Sequence, residues 1–224
     1  MIKRFYLPIL FVFGLFMAGC KLDPPDMSGF TSSTNGYQPI TKGSTWTYKQ
    51  SYNTGRTWNE TIVMTGLHTT INGKTYYSAT DQADTTNSTT YFYQGNGEYH
   101  IRSAILGGGT YVEYLYLKDN TAIGESWTAP ITDDGKQAGL PVQIVGSVIK
   151  KDTTMTISSF TFKNVTHTQL QLQYDIGVGI GFQTYQLIDF YVAKGVGIVE
   201  IDTNAGPPIN QKSNEPIISY SIKN

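Results

Sequence analysis

The sequence predicts an all-β protein: an antiparallel meander of about ten to twelve strands in a curved sheet, clam or barrel. Three observations carry this prediction. Apolar and polar residues alternate by two along much of the chain, most cleanly in Gln169-Leu170-Gln171-Leu172-Gln173-Tyr174. That period gives a pleated strand one apolar and one polar face. Beyond the N-terminal segment no stretch of a dozen residues repeats apolar positions at helical spacing, and turn residues punctuate the runs at short intervals.

Taken in order, the first alternating run carries Trp46 and Tyr48 behind Gly43. Asn72-Gly73 is a tight hairpin turn, because both residues tolerate positive φ. Gly95-Asn96-Gly97 and Gly107-Gly108-Gly109 separate tyrosine-rich runs, and Asp133-Asp134-Gly135 is a further turn by composition. Phe160 and Phe162 open the next alternating run. Gly177-Val178-Gly179-Ile180-Gly181 superficially suggests a nucleotide loop, but no helical pattern follows to supply an anion-binding N-terminus. It reads as a hairpin connection. Gly206-Pro207-Pro208 precedes a last run through Ile218, Tyr220 and Ile222. The wealth of Thr, Tyr, Val and Ile suits half-buried pleated surfaces.

The N-terminus has a different layout. Lys3 and Arg4 precede an apolar stretch from Phe5 to Phe16, and Met17-Ala18-Gly19-Cys20 closes it with small residues before the chain's single cysteine. Residues 1–19 read as a secretory signal peptide, too short to span a bilayer comfortably. A lone cysteine in an exported chain lacks a disulfide partner. Met17–Cys20 resembles the lipobox of bacterial lipoproteins, which implies a diacylated Cys20 as the mature N-terminus. Residues 20–36, rich in Pro, Ser, Thr and Gly, read as the lipidated cysteine with a flexible tether reaching roughly 50 Å. By the same resemblance Lys21, where an Asp would favour inner-membrane retention, implies the outer membrane. Lys21 and Asp23 also resemble charged surface-export signals, leaving the periplasm and the cell surface both open.

Residues 37–224 read as one β domain with an internal echo. Gly43-Ser44-Thr45-Trp46-Thr47 recurs as Gly124-Glu125-Ser126-Trp127-Thr128, and Thr70–Tyr76 as Thr156–Phe162. Phe92-Tyr93 with Gly97 recurs as Phe190-Tyr191 with Gly195. The pairs keep their order, which predicts half-repeats over 37–120 and 121–224.

Three segments carry a family resemblance: Tyr37-Gln38-Pro39-Ile40 leading to Gly43-x-x-Trp46-x-Tyr48; Leu117-Lys118-Asp119-Asn120 leading to Gly124-x-x-Trp127; and Asp189-Phe190-Tyr191-Val192-Ala193-Lys194-Gly195-Val196-Gly197-Ile198-Val199. Together they resemble a family of Bacteroidota envelope lipoproteins. The resemblance implies a β-rich fold and an envelope location, and it transfers no activity.

Composition excludes several classes. Sixteen Lys and Arg against seventeen Asp and Glu leave a net charge of −1, so no basic field attracts nucleic acid. His68, His100 and His167 are isolated, and neither a zinc spacing nor a Gly-x-Ser-x-Gly elbow is present. The expectation is therefore no metal, no cofactor and no catalytic residue. Glu60, Glu98, Glu113 and Glu200 are the carboxylates a dispersed hydrolase site would draw on.

Binding candidates are aromatic. Trp46 and Trp127 sit at matching places in the echo and read as core. Trp58 lies in polar Arg56-Thr57-Trp58-Asn59-Glu60; it reads first as a tryptophan at the edge of the core, and as the alternative it could stack on a sugar ring or a partner loop. Tyr91, Tyr93, Tyr111, Tyr114 and Tyr116 are expected to line one concave face. Asp84-Thr85-Thr86 and Asp152-Thr153-Thr154 resemble O-glycosylation acceptors, nominating Thr85 and Thr153. The function expected is a non-catalytic binding or scaffold module, anchored by Cys20, for an envelope partner or an apolar ligand. A carbohydrate-binding lipoprotein and a hydrolase are the alternatives.

Overall fold

The computed structural model describes residues 36–82, 89–104, 110–177 and 179–223. The strands in chain order are β1 (Thr45–Tyr52), β2 (Thr57–Ile71), β3 (Lys74–Asp81), β4 (Thr89–Gly95), β5 (Glu98–Ala104) and β6 (Tyr111–Lys118). The second half contributes β7 (Ser126–Pro130), β8 (Lys136–Gln137), β9 (Leu140–Ile157), β10 (Phe160–Asp175), β11 (Phe182–Ala193), β12 (Gly197–Ala205) and β13 (Gln211–Ser221). All pairings are antiparallel, and no helix occurs among the described residues. The all-β meander is as the alternation predicts. The strand beyond the expected number is β8, a two-residue ribbon that pairs only with β9.

The sheet order is β6-β5-β4-β3-β2-β1-β13-β12-β11-β10-β9-β7. Pairing of the first strand with the last wraps the sheet into a nearly closed barrel. The remaining edges, β6 and β7, meet through Glu113 N–H donating to the Ile131 carbonyl at 2.8 Å. The Trp127 indole also donates to the Leu115 carbonyl at 3.3 Å. Edges that would otherwise template aggregation are thereby covered.

The two halves are built alike. In the first, Gly43 N–H donates to Met64 C=O and Met64 N–H to Ser44 C=O; in the second, Gly124 and Val148 bond in the same way, with Val148 N–H returning to Glu125 C=O. Both glycines have positive φ, at 82° and 84°, which a side chain rarely tolerates. Trp46 then pairs with Ile62, and Trp127 with Gly146. The matching hairpin turns place Asn72 and Ser158 at φ 51° and 54°.

One end of the barrel is filled by the segment that leads in from the N-terminus. Tyr37 is buried, its hydroxyl 2.9 Å from Thr166 Oγ1, and the Gln38 amide oxygen accepts from Tyr116 Oη at 3.2 Å. Gly195 N–H donates to Gly36 C=O at 2.9 Å, fixing this plug beside the β11–β12 turn. The opposite end carries the β1–β2 and β12–β13 turns, joined by Asn53 N–H donating to Lys212 C=O.

Trp127 lies flat on Gly146, where a Cβ would fall within the indole. Gly146→Ala is expected to destabilise the fold by about 1–3 kcal/mol through overpacking. Chemical denaturation checks this; a midpoint equal to the parent's would show that the indole yields freely.

Candidate binding site in the barrel interior

Ladder register decides which side chains enter the barrel. Trp46 and Ile62, paired across β1 and β2, lie in the core. Alternation therefore turns Tyr48 and Gln50 of β1, and Trp58 and Glu60 of β2, to the same inward face. On β13, buried Ile217 stands opposite Tyr48 and Ser213 opposite Tyr52, so Glu215 also points inward. The hydroxyl of Tyr48 is close enough to that of Tyr116, on β6, for the two to interact electrostatically across the interior.

At the end away from the Tyr37 plug these side chains form one cluster. Gln50 Nε2 donates to Glu60 Oε2 at 2.7 Å, and Tyr52 Oη donates to Gln50 Oε1 at 3.1 Å. The Tyr52 and Trp58 rings stack at 5.1 Å between centroids, and the Arg56 guanidinium lies 5.5 Å from the Trp58 centroid. Tyr48 Oη donates to the Ile198 carbonyl at 2.8 Å. The Trp58 indole nitrogen is buried and has no hydrogen-bond partner. Tyr48, Tyr114 and Glu215 are half-buried on the inward face.

Electrostatics mark Glu215. Burial, then the nearby Glu60 charge, push its carboxyl up to about 8; Ser213 hydrogen bonding opposes this, and Asp202 adds to it. At neutral pH it is therefore mostly a neutral acid that can both donate and accept. Burial pushes the Tyr52 phenol up to about 12, with Glu215 and Glu60 adding to the effect.

The matching strand order and hydrogen bonding of the two halves supply an internal comparison. Tyr48 pairs with Glu60 where the other half pairs Ala129 with Ile144. Trp58, two residues earlier on β2, stands where β9 has buried Val142. Glu215 faces Ile201, beside Phe190, as Tyr114 faces Ile101, beside Phe92. The same backbone thus accepts apolar residues at these positions, and inward carboxylates and amides are costly unless partnered. The polar set is an addition to the fold and not a requirement of it.

Trp58 belongs to this cluster, half-buried on its Tyr52 partner, and Glu60 lies beside it. The five tyrosines do not share one face. Tyr91 pairs with Arg102, which pairs with Glu113, so Tyr91, Tyr93 and Tyr111 point outward. Tyr114 points inward, Tyr116 follows it at the same parity, and a β-bulge at Tyr116 lets Leu117 enter the core as well. Tyr116 is fully buried, stacked on Phe190 at 5.5 Å.

The outward tyrosines surround a second polar cluster. A bulge after Met64 bends the β2–β3 hairpin so that its tip reaches over this face. Lys74 Nζ lies 3.2 Å from His100 Nε2 and 3.8 Å from Glu98, and Asn72 Nδ2 donates to Asp133 at 3.1 Å. Arg102 grips Asp133 with two bonds, 2.7 and 3.0 Å, and donates to Glu113 at 3.3 Å. Glu113 Oε1 approaches His100 Nδ1 at 2.6 Å as an ion pair, outside in-line hydrogen-bond geometry. Burial alone would raise the Glu113 and Glu98 carboxyls, but the close approach of His100 and a bond from Tyr76 hold Glu113 low, and Lys118 and His100 hold Glu98 low. Carboxylates and cations here answer one another, and the cluster acts as a clamp on the hairpin tip.

The remaining nominated residues lie elsewhere. Glu200 points outward and accepts from Asn214 at 2.7 Å. Thr153 donates its hydroxyl to the Val165 carbonyl within the β9–β10 ladder. His167 pairs with Asp189 at 2.7 Å and stacks on Tyr191. Cys20, Thr85 and the Gly107–Gly109 turn lie outside the described residues. Among the described residues no group of three or more His, Cys, Asp or Glu could hold a metal ion. Gln50, Tyr48 and Glu215 escaped sequence reasoning. For Tyr48 and Gln50 a signal existed in the echo, where Trp46-Thr47-Tyr48-Lys49-Gln50 aligns with Trp127-Thr128-Ala129-Pro130-Ile131.

No family model matches the chain, and no curated protein matches it. Among solved structures it is similar to a "putative lipoprotein" from Parabacteroides distasonis ATCC 8503, with a TM-score of 0.50 and 13% identity, over 84% of this chain and 99% of that one. At that identity the likeness is one of fold.

The raised Glu215 carboxyl has a consequence with a definite sign. Between its ordinary value of 4.5 and about 8, the folded chain keeps a proton that the unfolded chain releases. Its contribution is full below about 4.5 and is lost as pH rises through about 8. Glu215→Gln is expected to flatten that slope and raise the melting midpoint at alkaline pH by a few degrees. Melting curves across this pH window check it; parallel slopes for both chains would refute the assignment.

Proposed function

We propose that this chain is an outer-membrane lipoprotein, anchored through Cys20, whose barrel domain is a non-catalytic binding module that holds a small ligand among the inward side chains at the end opposite Tyr37. The single observation that carries the reading is the cluster of Tyr48, Gln50, Tyr52, Trp58, Glu60 and Glu215. Half of one doubled sheet turns polar and aromatic groups inward where the other half packs Ala129, Ile144 and Val142. Ligand sites in barrels are commonly lined by aromatic groups with a few placed polar ones, near the mouth. Of the carboxylates a dispersed hydrolase site would draw on, Glu98 and Glu113 are engaged by Lys118, His100, Tyr76 and Arg102 and Glu200 points outward.

The anchor is supported by the lipobox-like Met17–Cys20 and by the fold likeness to the Parabacteroides chain described as a lipoprotein. Acyl chains at Cys20, each buried CH₂ adding ~0.8 kcal/mol, would hold the chain to a bilayer persistently. The described chain begins with Gly36 at the Tyr37 end of the barrel.

Two measurements test this. Cys20→Ala is expected to shift the chain from the membrane fraction to the soluble one in its own host, and an unchanged distribution would remove the anchor. Native mass spectrometry of the gently purified chain is expected to show extra mass that is released on denaturation. A clean mass that stays clean after incubation with host envelope extract would count against a ligand-holding barrel.

A further inference from the structure

We propose that the Tyr37 end of the barrel lies against an anionic phospholipid surface, with Lys42, Lys163, Lys194 and Lys223 at the headgroups and the side chains of Leu67 and Ile123 entering the headgroup layer. The approach to the bilayer rests on the reading of Cys20 as the anchor. The contact itself follows from how charge and apolar surface are distributed along the barrel.

Backbone contacts gather the four lysines at this end. Gly36 C=O accepts from Gly195 N–H, and the Trp46 indole donates to the Val196 carbonyl at 2.6 Å, so the lead-in segment and the β11–β12 turn lie together. Lys194 belongs to that turn, and its N–H donates to the Asn164 carbonyl at 3.2 Å, next to Lys163. Lys223 follows β13; its N–H donates to Ser44 Oγ at 3.0 Å and its side chain lies beside Gly43. The Lys42 stem packs on Gly66. All four lysines are exposed, and none makes an ion pair among the described residues.

Negative charge is placed elsewhere. Residues 36–44, 160–166, 193–197 and 219–223, which build this end, contain no Asp or Glu. At its rim Asp119 and Asp152 act on the Tyr37 hydroxyl, but they stand with Lys150 and Lys151, and Lys151 Nζ donates to the Asp119 carbonyl at 2.6 Å. On the outer wall, by contrast, Asp189 pairs with Asp202, and Glu200 shares Asn214 with Asp202. The whole chain carries a net charge of −1, so the positive end is a local excess.

Apolar surface supplies the second observation. Leu67 and Ile123 are the most exposed large apolar side chains of the described chain, at 69% and 62%. Leu67 follows Gly66, against the Lys42 stem. Ile123 precedes Gly124 as Lys42 precedes Gly43, and Lys151 Nζ, donating to the Thr121 carbonyl at 3.0 Å, ties the Ile123 turn to the same rim. Protruding apolar side chains among lysines suit the headgroup level of an anionic bilayer, where the cations meet opposite charge and the apolar tips leave water. An acidic protein or a nucleic acid would answer the lysines and leave both apolar tips without a partner. A wholly apolar partner would strip water from four charges. The far end carries exposed Ile176, Ile180 and Phe182, but Asp175 heads that turn and residues 175–182 contain no Lys or Arg. An anionic surface has no charge to grip there.

The test places a fluorophore at each end of the lipidated full chain. Its one cysteine is Cys20, so Ile123→Cys and, in a second protein, Ile180→Cys each take a single maleimide-linked NBD group. Both side chains are exposed, and neither change touches the core. The chains are added to phosphatidylcholine vesicles with and without phosphatidylglycerol, all carrying a headgroup nitroxide as quencher. The label at 123 is expected to be quenched on the phosphatidylglycerol vesicles and released by molar salt, while the label at 180 stays bright. Lys42→Gln and Lys194→Gln are each expected to lower the ratio of docked to free barrel about fivefold. Equal quenching at 123 and 180, equal quenching at 123 on both lipids, or none at 123 would each overturn the docking. Sedimentation of the unlabelled chain with phosphatidylcholine vesicles reads the anchor by itself. A chain left in the supernatant overturns the anchor reading, and a pelleted chain whose label at 123 stays bright overturns the docking alone.

Discussion

Pairing β1 with β13 is the step that turns a meander into a container. A sheet of this length left open would expose two edges and would have to bury one whole face against something else. Joining the first strand to the last makes one sheet of the two halves, and the contacts between its remaining edges, β6 and β7, then enclose the face. The core then fills from both halves, with Trp46 and Ile217 on one side and Phe190 and Val192 on the other. The closure also fixes the ends. The segment leading from the N-terminus seals one with Tyr37 and Gln38, and the turns around Asn53 and Lys212 frame the other.

The doubled architecture makes this enclosure readable. A polar residue inside a β-barrel can be a tolerated accident, a structural device or a working part, and a single sheet gives no reference for choosing. Here each half is a reference for the other. Where both halves agree, as in the Gly43 and Gly124 turns and the buried Trp46 and Trp127, the residues serve the fold. Where they part company, with Glu60 against Ile144 and Glu215 against Tyr114, the backbone is equally content with an apolar side chain, and the difference calls for another purpose. The outward cluster around His100 and Arg102 contrasts with this. Its carboxylates have bonded donors and its tyrosines lie against cations, Lys74 over Tyr93 and Arg102 over Tyr111 at 5.0 Å each. That arrangement closes on itself as a clamp would.

Much of the fold was legible in the sequence because strand alternation and turn chemistry are local. Asn72-Gly73, Gly95-Asn96-Gly97 and the Gln169–Tyr174 run carry their own instructions. The split of Tyr111 from Tyr114 follows from alternation alone, since residues three apart on one strand take opposite faces; which of the two faces is the inside was not legible, because that depends on how the sheet closes. Nor was the bend that carries the β2–β3 tip across to Asp133, since Thr65-Gly66-Leu67 reads equally well as continuous strand. Of the interior site, Trp58 stood out by its polar neighbours. Glu215 stood out by nothing: its meaning depends on closure between the first and last strands, a contact that no local pattern encodes.

Enclosure and polarity together also explain why the site sits at one end. Water cannot be replaced deep in a core packed by Leu170, Ile188 and Val192 without losing that packing. Glu60 and Glu215 are near neighbours only because β2 and β13 flank the same strand, β1, and burial beside Glu60 is what raises the Glu215 carboxyl. That effect exists only in the closed sheet, since no local pattern of residues brings the two carboxyls together.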